Sequence, residues 1–321
     1  MGRWLLLVVP ILLFAADYDV IVIGSSPTSL FEALHQHALG KKVLVLEASP
    51  LIGGAWQTID TCGVPHADLG CHLIGLSQEL ADFFSAYAGC KIVPLDTPKI
   101  PDAPFGKNGF YFSKGCFELI DHLQRRIARS TIDFRFNQLV HSGVIDEENG
   151  QAIVKTADKQ FSAEKIFLTP YTYFPEELGE AAKNKLKFHH LYLLVYDPNP
   201  VKFTYSFGIP HTTRMMNVTD FVDLDNTGMQ LIILQTHDED SLNKSSVFLS
   251  KLKEKNLIDE SAYIVKSESY TYHQWPSHNH VLSRSYPKYF EILDTHNLIN
   301  MTKYISRWKE SLTTYKEAVP Q

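Results

Sequence analysis

Two buried-strand patterns joined by a helical one open the chain and restrict its fold more than any other feature. Asp19–Ile23 (DVIVI) and Lys42–Leu46 (KVLVL) are almost continuously apolar. Such runs are typical of parallel strands covered on both faces. Between them, SSPTSLFEALHQHAL carries apolar residues at helical spacing, and Gly40 follows as a C-cap would. The pattern predicts a strand–helix–strand unit and therefore an α/β fold.

The turns of this unit predict a dinucleotide site. Gly24 follows the first strand and Glu47 the second, 23 positions later. In dinucleotide-binding folds a GxGxxG turn brings a helix N-terminus to the pyrophosphate, and an acid after the second strand binds the ribose. Ser26 and Ser29 replace the second and third glycines, which tightens the site, while Ser25 and Ser26 offer hydroxyl donors to phosphate. We expect these five residues to bind the cofactor; a Rossmann-type unit that no longer binds one is the alternative.

The run VLVLEASPLIGGAWQT (43–58) places Gly53, Gly54 and Trp56 shortly after Glu47. It resembles the signature of the flavoprotein superfamily of amine oxidases, protoporphyrinogen oxidases and UDP-galactopyranose mutases. The resemblance implies a Rossmann-type FAD-binding domain with an interleaved α+β substrate domain, and FAD as the cofactor. It also implies that Gly53, Gly54 and Trp56 line the cofactor site. Ala55 replaces the arginine usual after the glycine pair, and the pair also fits an ordinary tight turn.

Further segments extend this resemblance along the chain. Asp68–His72 (DLGCH) is similar to a segment beside the flavin ring, which makes His72 the first candidate for acid–base catalysis. Val140 stands at the position where members of the family contact adenine through the backbone. Asp294 would lie near the start of a final helix aimed at the cofactor. Arg214 lies in a stretch similar to the Thr-Arg strand of UDP-galactopyranose mutases, where a guanidinium would bind a phosphate or carboxylate. Packing, capping or ion-pairing roles remain the alternatives for each, and the family's Gly-Asp pair is missing.

The resemblance also implies a discontinuous architecture. We expect an FAD-binding domain from residues 17–58, 109–170 and 286–321, and a substrate domain from 59–108 and 171–285. A small-molecule substrate would bind between them.

Residues 1–16 (MGRWLLLVVPILLFAA) have the layout of a signal peptide or membrane anchor. The layout favours a secretory or membrane-associated location over a cytoplasmic one; a leader packed on the fold is the alternative. The four cysteines match no zinc or redox spacing and are expected to be buried thiols. The histidines between Tyr270 and Phe290 also lack ligand spacing, so no metal is expected.

Two functions remain open at this point. With 30 basic and 36 acidic residues, the chain shows no footprint for nucleic acid. A flavin-dependent oxidoreductase acting on a small or lipophilic substrate is the first hypothesis, with a flavin-dependent sugar-nucleotide mutase as its variant. Because three motif residues are replaced, a non-catalytic binding module on the same fold is the second.

Overall fold

The computed structural model contains two principal sheets, two small hairpins and six α-helices among the residues that it describes. Those residues are 16–69, 78–94, 110–169, 172, 174, 186–200, 203–206, 214–218, 224, 227–274, 281–293 and 304–310. The strands are β1 (Tyr18–Ile23), β2 (Val43–Leu46), β3 (Thr58–Thr61), β4 (Val64–Asp68), β5 (Ile92–Pro94), β6 (Phe110–Phe112), β7 (Asp133–Arg135), β8 (Ser142–Asp146), β9 (Gln151–Lys155), β10 (Gln160–Leu168), β11 (Leu186–Tyr196), β12 (Phe203–Ser206), β13 (Arg214–Val218), β14 (Met229–Thr236), β15 (Tyr263–Gln274) and β16 (Phe290–Ile292). The helices are α1 (Pro27–Ala38), α2 (Gln78–Ala88), α3 (Cys116–Ala128), α4 (Ser245–Glu254), α5 (Val281–Ser285) and α6 (304–310). Two 3₁₀ turns cover Gly54–Trp56 and Glu239–Asn243.

The seven-stranded sheet carries the predicted strand–helix–strand unit. Its order is β7-β2-β1-β10-β9-β8, and β16 also pairs with β10. Strand β10 is shared: its first half pairs antiparallel with β9, and its last three residues pair parallel with β16. Strands β7, β2, β1, β10 and β16 therefore form a parallel array, and the carboxyl ends of such strands are where α/β folds bind ligands.

Apolar side chains cover both faces of this sheet. On one face α1, α2, α3 and α6 contribute large side chains such as Phe31, Phe83, Leu119 and Trp308, all fully buried. On the other face Ile21, Leu44 and Phe290 pack with residues of the β8–β10 meander. Because both faces are covered, β1 and β2 need apolar residues at successive positions, which explains the uninterrupted runs in the sequence.

The five-stranded sheet has the order β12-β13-β14-β11-β15, with antiparallel pairing throughout. Alternate residues of its central strands enter two different clusters. Leu191 and Leu193 pack with Phe248 and Leu252 of α4. Tyr192, one residue out of phase, packs with the β3–β4 hairpin and with β6. The sheet thus lies between a helix and the segments that follow the first glycine turns.

Two elements differ from the sequence pattern. The roughly helical spacing of Leu242, Phe248, Leu249 and Leu252 predicts a helix over residues 240–256. The segment instead begins as a 3₁₀ turn, since the Asp238 side chain accepts hydrogen bonds from the Asp240 backbone amide and the Ser241 hydroxyl, and the α-helix starts only at Ser245. The long strand β15 was not predicted. It is an edge strand with mostly exposed residues, so apolar alternation is weak.

No helix among the described residues is long and apolar enough to cross a membrane. The signal-peptide prediction for residues 1–16 falls almost entirely outside the described residues. Cys62, Cys90 and Cys116 are buried and form no disulfide with one another, as the sequence indicated, and Cys71 is not described.

Candidate cofactor site

The turn from β1 into α1 has the conformation that a dinucleotide-binding turn needs. Gly24 has φ +93°, in the region that favours glycine, and its amide donates to the Leu46 carbonyl at 2.8 Å, which joins the ends of β1 and β2. Ser26 is the N-cap of α1, and its hydroxyl oxygen accepts a bond from the Ser29 amide at 3.4 Å. Pro27 occupies the first helical position, where a missing N–H carries no penalty. The N-terminus of α1 therefore opens at the carboxyl edge of the parallel strands.

The serines that replace two motif glycines lie in different environments. Ser29 is fully buried, and its hydroxyl lies 3.0 Å from that of Ser26. The Ser29 hydroxyl oxygen would also lie 4.0 Å from a Cβ added at Gly24. Ser29 thus fills the space between the turn and the helix. Ser26, by contrast, is only partly buried, and its hydroxyl caps the end of α1.

Glu47 is buried at the end of β2, and both of its carboxylate oxygens accept hydrogen bonds. Oε2 accepts from the Ser25 hydroxyl at 2.6 Å, and Oε1 accepts from the Ser49 amide at 2.7 Å. Its side chain therefore points toward the turn after β1, where ribose binding would place it. Ser25 was expected to donate to phosphate; its proton goes to Glu47 instead.

The Gly53-Gly54 turn lies directly against the first turn. The Gly53 amide donates to the Ser25 hydroxyl at 3.0 Å, and a Cβ at Gly54 would lie 3.7 Å from the Ser26 amide nitrogen. Gly53 has φ +114°, and an added Cβ would lie 3.3 Å from the backbone nitrogen of Gln57 and 3.3 Å from the side chain of Ile120. Both conditions demand glycine. Trp56, in the 3₁₀ turn that follows, is partly buried and packs edge-on against Phe112, with ring centroids 6.2 Å apart.

The chain returns past Glu47 after β7. The Gln138 amide donates to the Glu47 carbonyl at 2.9 Å, and the Asn137 amide donates to the Ser49 carbonyl at 3.3 Å. Val140 follows, buried in the apolar cluster that contains Ile23 and Leu46. The structure thus gathers Gly24, Ser25, Ser26, Ser29, Glu47, Gly53 and Gly54 at one edge of the sheet, with Trp56 and Val140 on adjoining segments.

The structure does not place the side chains of the other predicted site residues. His72 and Asp294 lie outside the described residues. Arg214 begins β13 and pairs with Gln235 of β14, and its side chain is outside the described part. Their proposed roles stay predictions.

Asp68 is a buried carboxyl group whose role the sequence did not indicate. It accepts bonds from the amide of Cys116 at 2.7 Å and from its thiol at 3.5 Å, at the start of α3. Burial raises the pKa of Asp68 to about 7, although both bonds oppose this rise. Its backbone carbonyl accepts from the Tyr192 hydroxyl at 2.9 Å, which joins β4 to the five-stranded sheet. The usual sequence signal for helix capping is an acid directly before the helix. Here the capping acid, Asp68, lies 48 residues before Cys116, so the sequence did not reveal its role.

Solved structures with similar folds are mostly matched over the whole chain. A protein from Exiguobacterium sp. 255-15, provisionally identified as a protoporphyrinogen oxidase, has a TM-score of 0.61 at 12% identity, covering 95% of this chain and 100% of its own. Reduced UDP-galactopyranose mutase has a TM-score of 0.58 at 11% identity, covering 92% and 88%. A mutant of the halogenase PltM, solved in complex with FAD, has a TM-score of 0.51 at 12% identity, covering 94% and 70%. Identities this low establish the fold alone.

Sequence comparison gives one curated relative. Ferredoxin–NADP reductase 1 from Listeria innocua serovar 6a is 31% identical over 108 residues. The match spans 30% of this chain and 32% of the reductase. No family model matches the chain. The chain therefore shares the fold of the Exiguobacterium protein and of UDP-galactopyranose mutase, and this agrees with the fold that the resemblance of its sequence predicts.

Proposed function

We propose that the protein binds FAD through this site and is a flavin-dependent oxidoreductase acting on a small or lipophilic substrate. One observation carries the proposal: Glu47 is buried beside both glycine turns, with its carboxylate directed toward them. The shared fold, a halogenase of that fold with bound FAD, and a reductase as the curated relative support it.

The residues present fit the adenosine diphosphate half of FAD. A carboxylate offers about four acceptor positions. The described contacts to Glu47 occupy two of them, which leaves capacity for ribose hydroxyls. A Cβ at Gly54 would project toward Ser26, 3.7 Å from its backbone nitrogen, so glycine there keeps the space beside the start of α1 open to a diphosphate.

Ser26 is compatible with a diphosphate because of how its hydroxyl is used. Its oxygen accepts the Ser29 amide, and the neighbouring Ser29 hydroxyl is able to donate to it as well. The Ser26 proton is then available to donate to a phosphate oxygen. The helix terminus adds a favourable field for the negative charge.

Bound flavin would supply hydride transfer, while the protein binds and orients it. For this reaction we propose His72 as the acid–base residue and Arg214 as the group that binds a substrate anion. Transfer within a sugar nucleotide, the mutase variant, would use Arg214 in the same way.

The first experiment is to purify the full chain and record its absorbance spectrum, before and after adding FAD to protein stripped of ligand. We expect a yellow protein with an oxidised-flavin spectrum. Glu47→Gln removes the charge but keeps the shape and should weaken FAD binding about 10- to 100-fold. Glu164→Gln is the matched control, since Glu164 is an exposed residue of β10 that forms an exposed ion pair with Lys41 at 3.9 Å. A colourless protein that gains no flavin spectrum contradicts the proposal.

A non-catalytic binding module is the second candidate, because serine side chains stand at both positions where the motif has glycine, and that of Ser29 is fully buried between the turn and the helix. In this case the wild-type protein binds no FAD. The double variant Ser26→Gly, Ser29→Gly recreates the motif and should then gain FAD binding. Failure of both proteins to bind FAD would favour a module that takes no dinucleotide.

A further inference from the structure

Ser25 occupies the variable position directly after Gly24 and makes contacts on both sides. It is 1% exposed, and its hydroxyl has one proton and two lone pairs. The proton goes to Glu47 Oε2 at 2.6 Å, and one lone pair accepts the Gly53 amide at 3.0 Å. One side chain therefore joins the turn after β1, the acid after β2 and the Gly-Gly turn.

These two bonds fix the groups that the cofactor would meet. The Ser25 and Ser49 bonds together hold both carboxylate oxygens of Glu47, so the side chain cannot rotate without breaking a charge-assisted bond. The bond to Gly53 fixes the start of a turn made of two glycines, which adopt positive φ here and, without a Cβ, would readily adopt other conformations. Buried polar networks of this kind become rigid when every group is satisfied.

We propose that Ser25 is a positioning residue that orders Glu47 and the Gly-Gly turn before the cofactor binds. The inference rests on the proposed FAD function and adds to it a residue that touches neither phosphate nor flavin. Groups that are already ordered in the free protein lose little further conformational entropy when the cofactor binds, so the affinity is higher. Alanine or glycine at this position would leave the Gly53 amide and one carboxylate oxygen without these partners.

The test compares Ser25→Ala with Ser162→Ala as the matched control. The Ser162 hydroxyl also donates to a carboxylate, that of Asp17 at 3.0 Å, but at the opposite end of β1. FAD titration of the ligand-free proteins should show binding about 10- to 100-fold weaker for Ser25→Ala and unchanged for Ser162→Ala. ADP should lose affinity by a similar factor, because Glu47 would contact the adenosine half.

Amide hydrogen exchange of the ligand-free proteins gives a readout that needs no cofactor. Ser25→Ala should raise the exchange rate of the Gly53 amide, while the amides within β1 and β2 keep their wild-type rates, which shows that the fold is intact. The inference is overturned if Ser25→Ala binds FAD as tightly as the wild type, or if Gly53 stays protected. A wild-type protein that binds no FAD defeats the proposed function instead, and the exchange rates then still decide whether Ser25 orders the turn.

Discussion

The buried carboxylate of Glu32 should make the C-terminal helix α6 essential to the stability of α1. Glu32 is fully buried and accepts bonds from Gln36 Nε2 at 2.7 Å and from Trp308 Nε1 at 3.0 Å. It also forms an ion pair with Arg307, whose side chain is 32% exposed and lies 3.6 Å from Glu291. Arg307 is the cation that compensates the buried charge.

Replacing Arg307 by methionine keeps the apolar stem and removes the charge. Loss of one partner from a buried ion pair costs about 3–5 kcal/mol. Because Arg307 is partly exposed and two neutral donors remain, we expect a value near the lower end, about 3 kcal/mol. Glu32→Gln alone should cost about 1 kcal/mol, because the cation keeps Glu291 and water as partners. The double variant should lie within about 1 kcal/mol of the wild type, since removing both charges also removes their desolvation penalty.

Urea unfolding of the four proteins, followed by far-UV circular dichroism and by the fluorescence of Trp308 and the other tryptophans, measures this cycle. A coupling free energy of about 2 kcal/mol or more supports the argument. If Arg307→Met costs less than about 1 kcal/mol, or if the double variant is no more stable than Arg307→Met alone, the charge is not what stabilises this contact.

Three further outcomes are expected. Asp68→Asn should remove a pH dependence of the unfolding free energy. Because burial raises the pKa of Asp68 from 3.8 to about 7, the folded protein keeps a proton that the unfolded chain releases at lower pH. In urea unfolding, the wild type should therefore lose up to about 4 kcal/mol relative to the variant between pH 4 and 8. Gly53→Ala should cost about 2–3 kcal/mol, but Gly40→Ala, at φ +80° with nothing near its Cβ, only about 1–2 kcal/mol. Ser26→Gly should change the unfolding free energy by only a few tenths of a kcal/mol, and the FAD dissociation constant by less than about tenfold.

Much of the fold was predictable because it is encoded in patterns of local sequence. The apolar runs around Ile21 and Leu44, the glycine between them and the helical spacing after it correspond to β1, α1 and β2 almost residue for residue. Strand β15 was missed since an exposed edge strand has little apolar alternation to detect.

The proximity of Glu47 to the two glycine turns was predictable, but the hydrogen bonds that join them were not. Spacing placed Glu47 beside the turn at Gly24, since strand ends of one parallel sheet meet at one edge, and the family resemblance added Gly53 and Gly54. The partner of the Ser25 hydroxyl depends on a side-chain rotamer and on a turn 28 residues away, and no periodicity encodes either. The contact of Asp68 with the start of α3 was not predictable for the same reason, because it joins residues far apart in the chain.

The pairing of β16 with β10 also sets the order in which the molecule can assemble during synthesis. Leu168 pairs with Ile292, so the central sheet lacks its last parallel strand until more than 120 further residues have been made. At about 5–20 residues per second, the ribosome takes roughly 6–25 s to supply them. Throughout that interval the last three residues of β10, Ile166–Leu168, form an open edge of the kind that pairs with other chains. Chaperone demand should therefore be concentrated in this window, and slower translation should lengthen it.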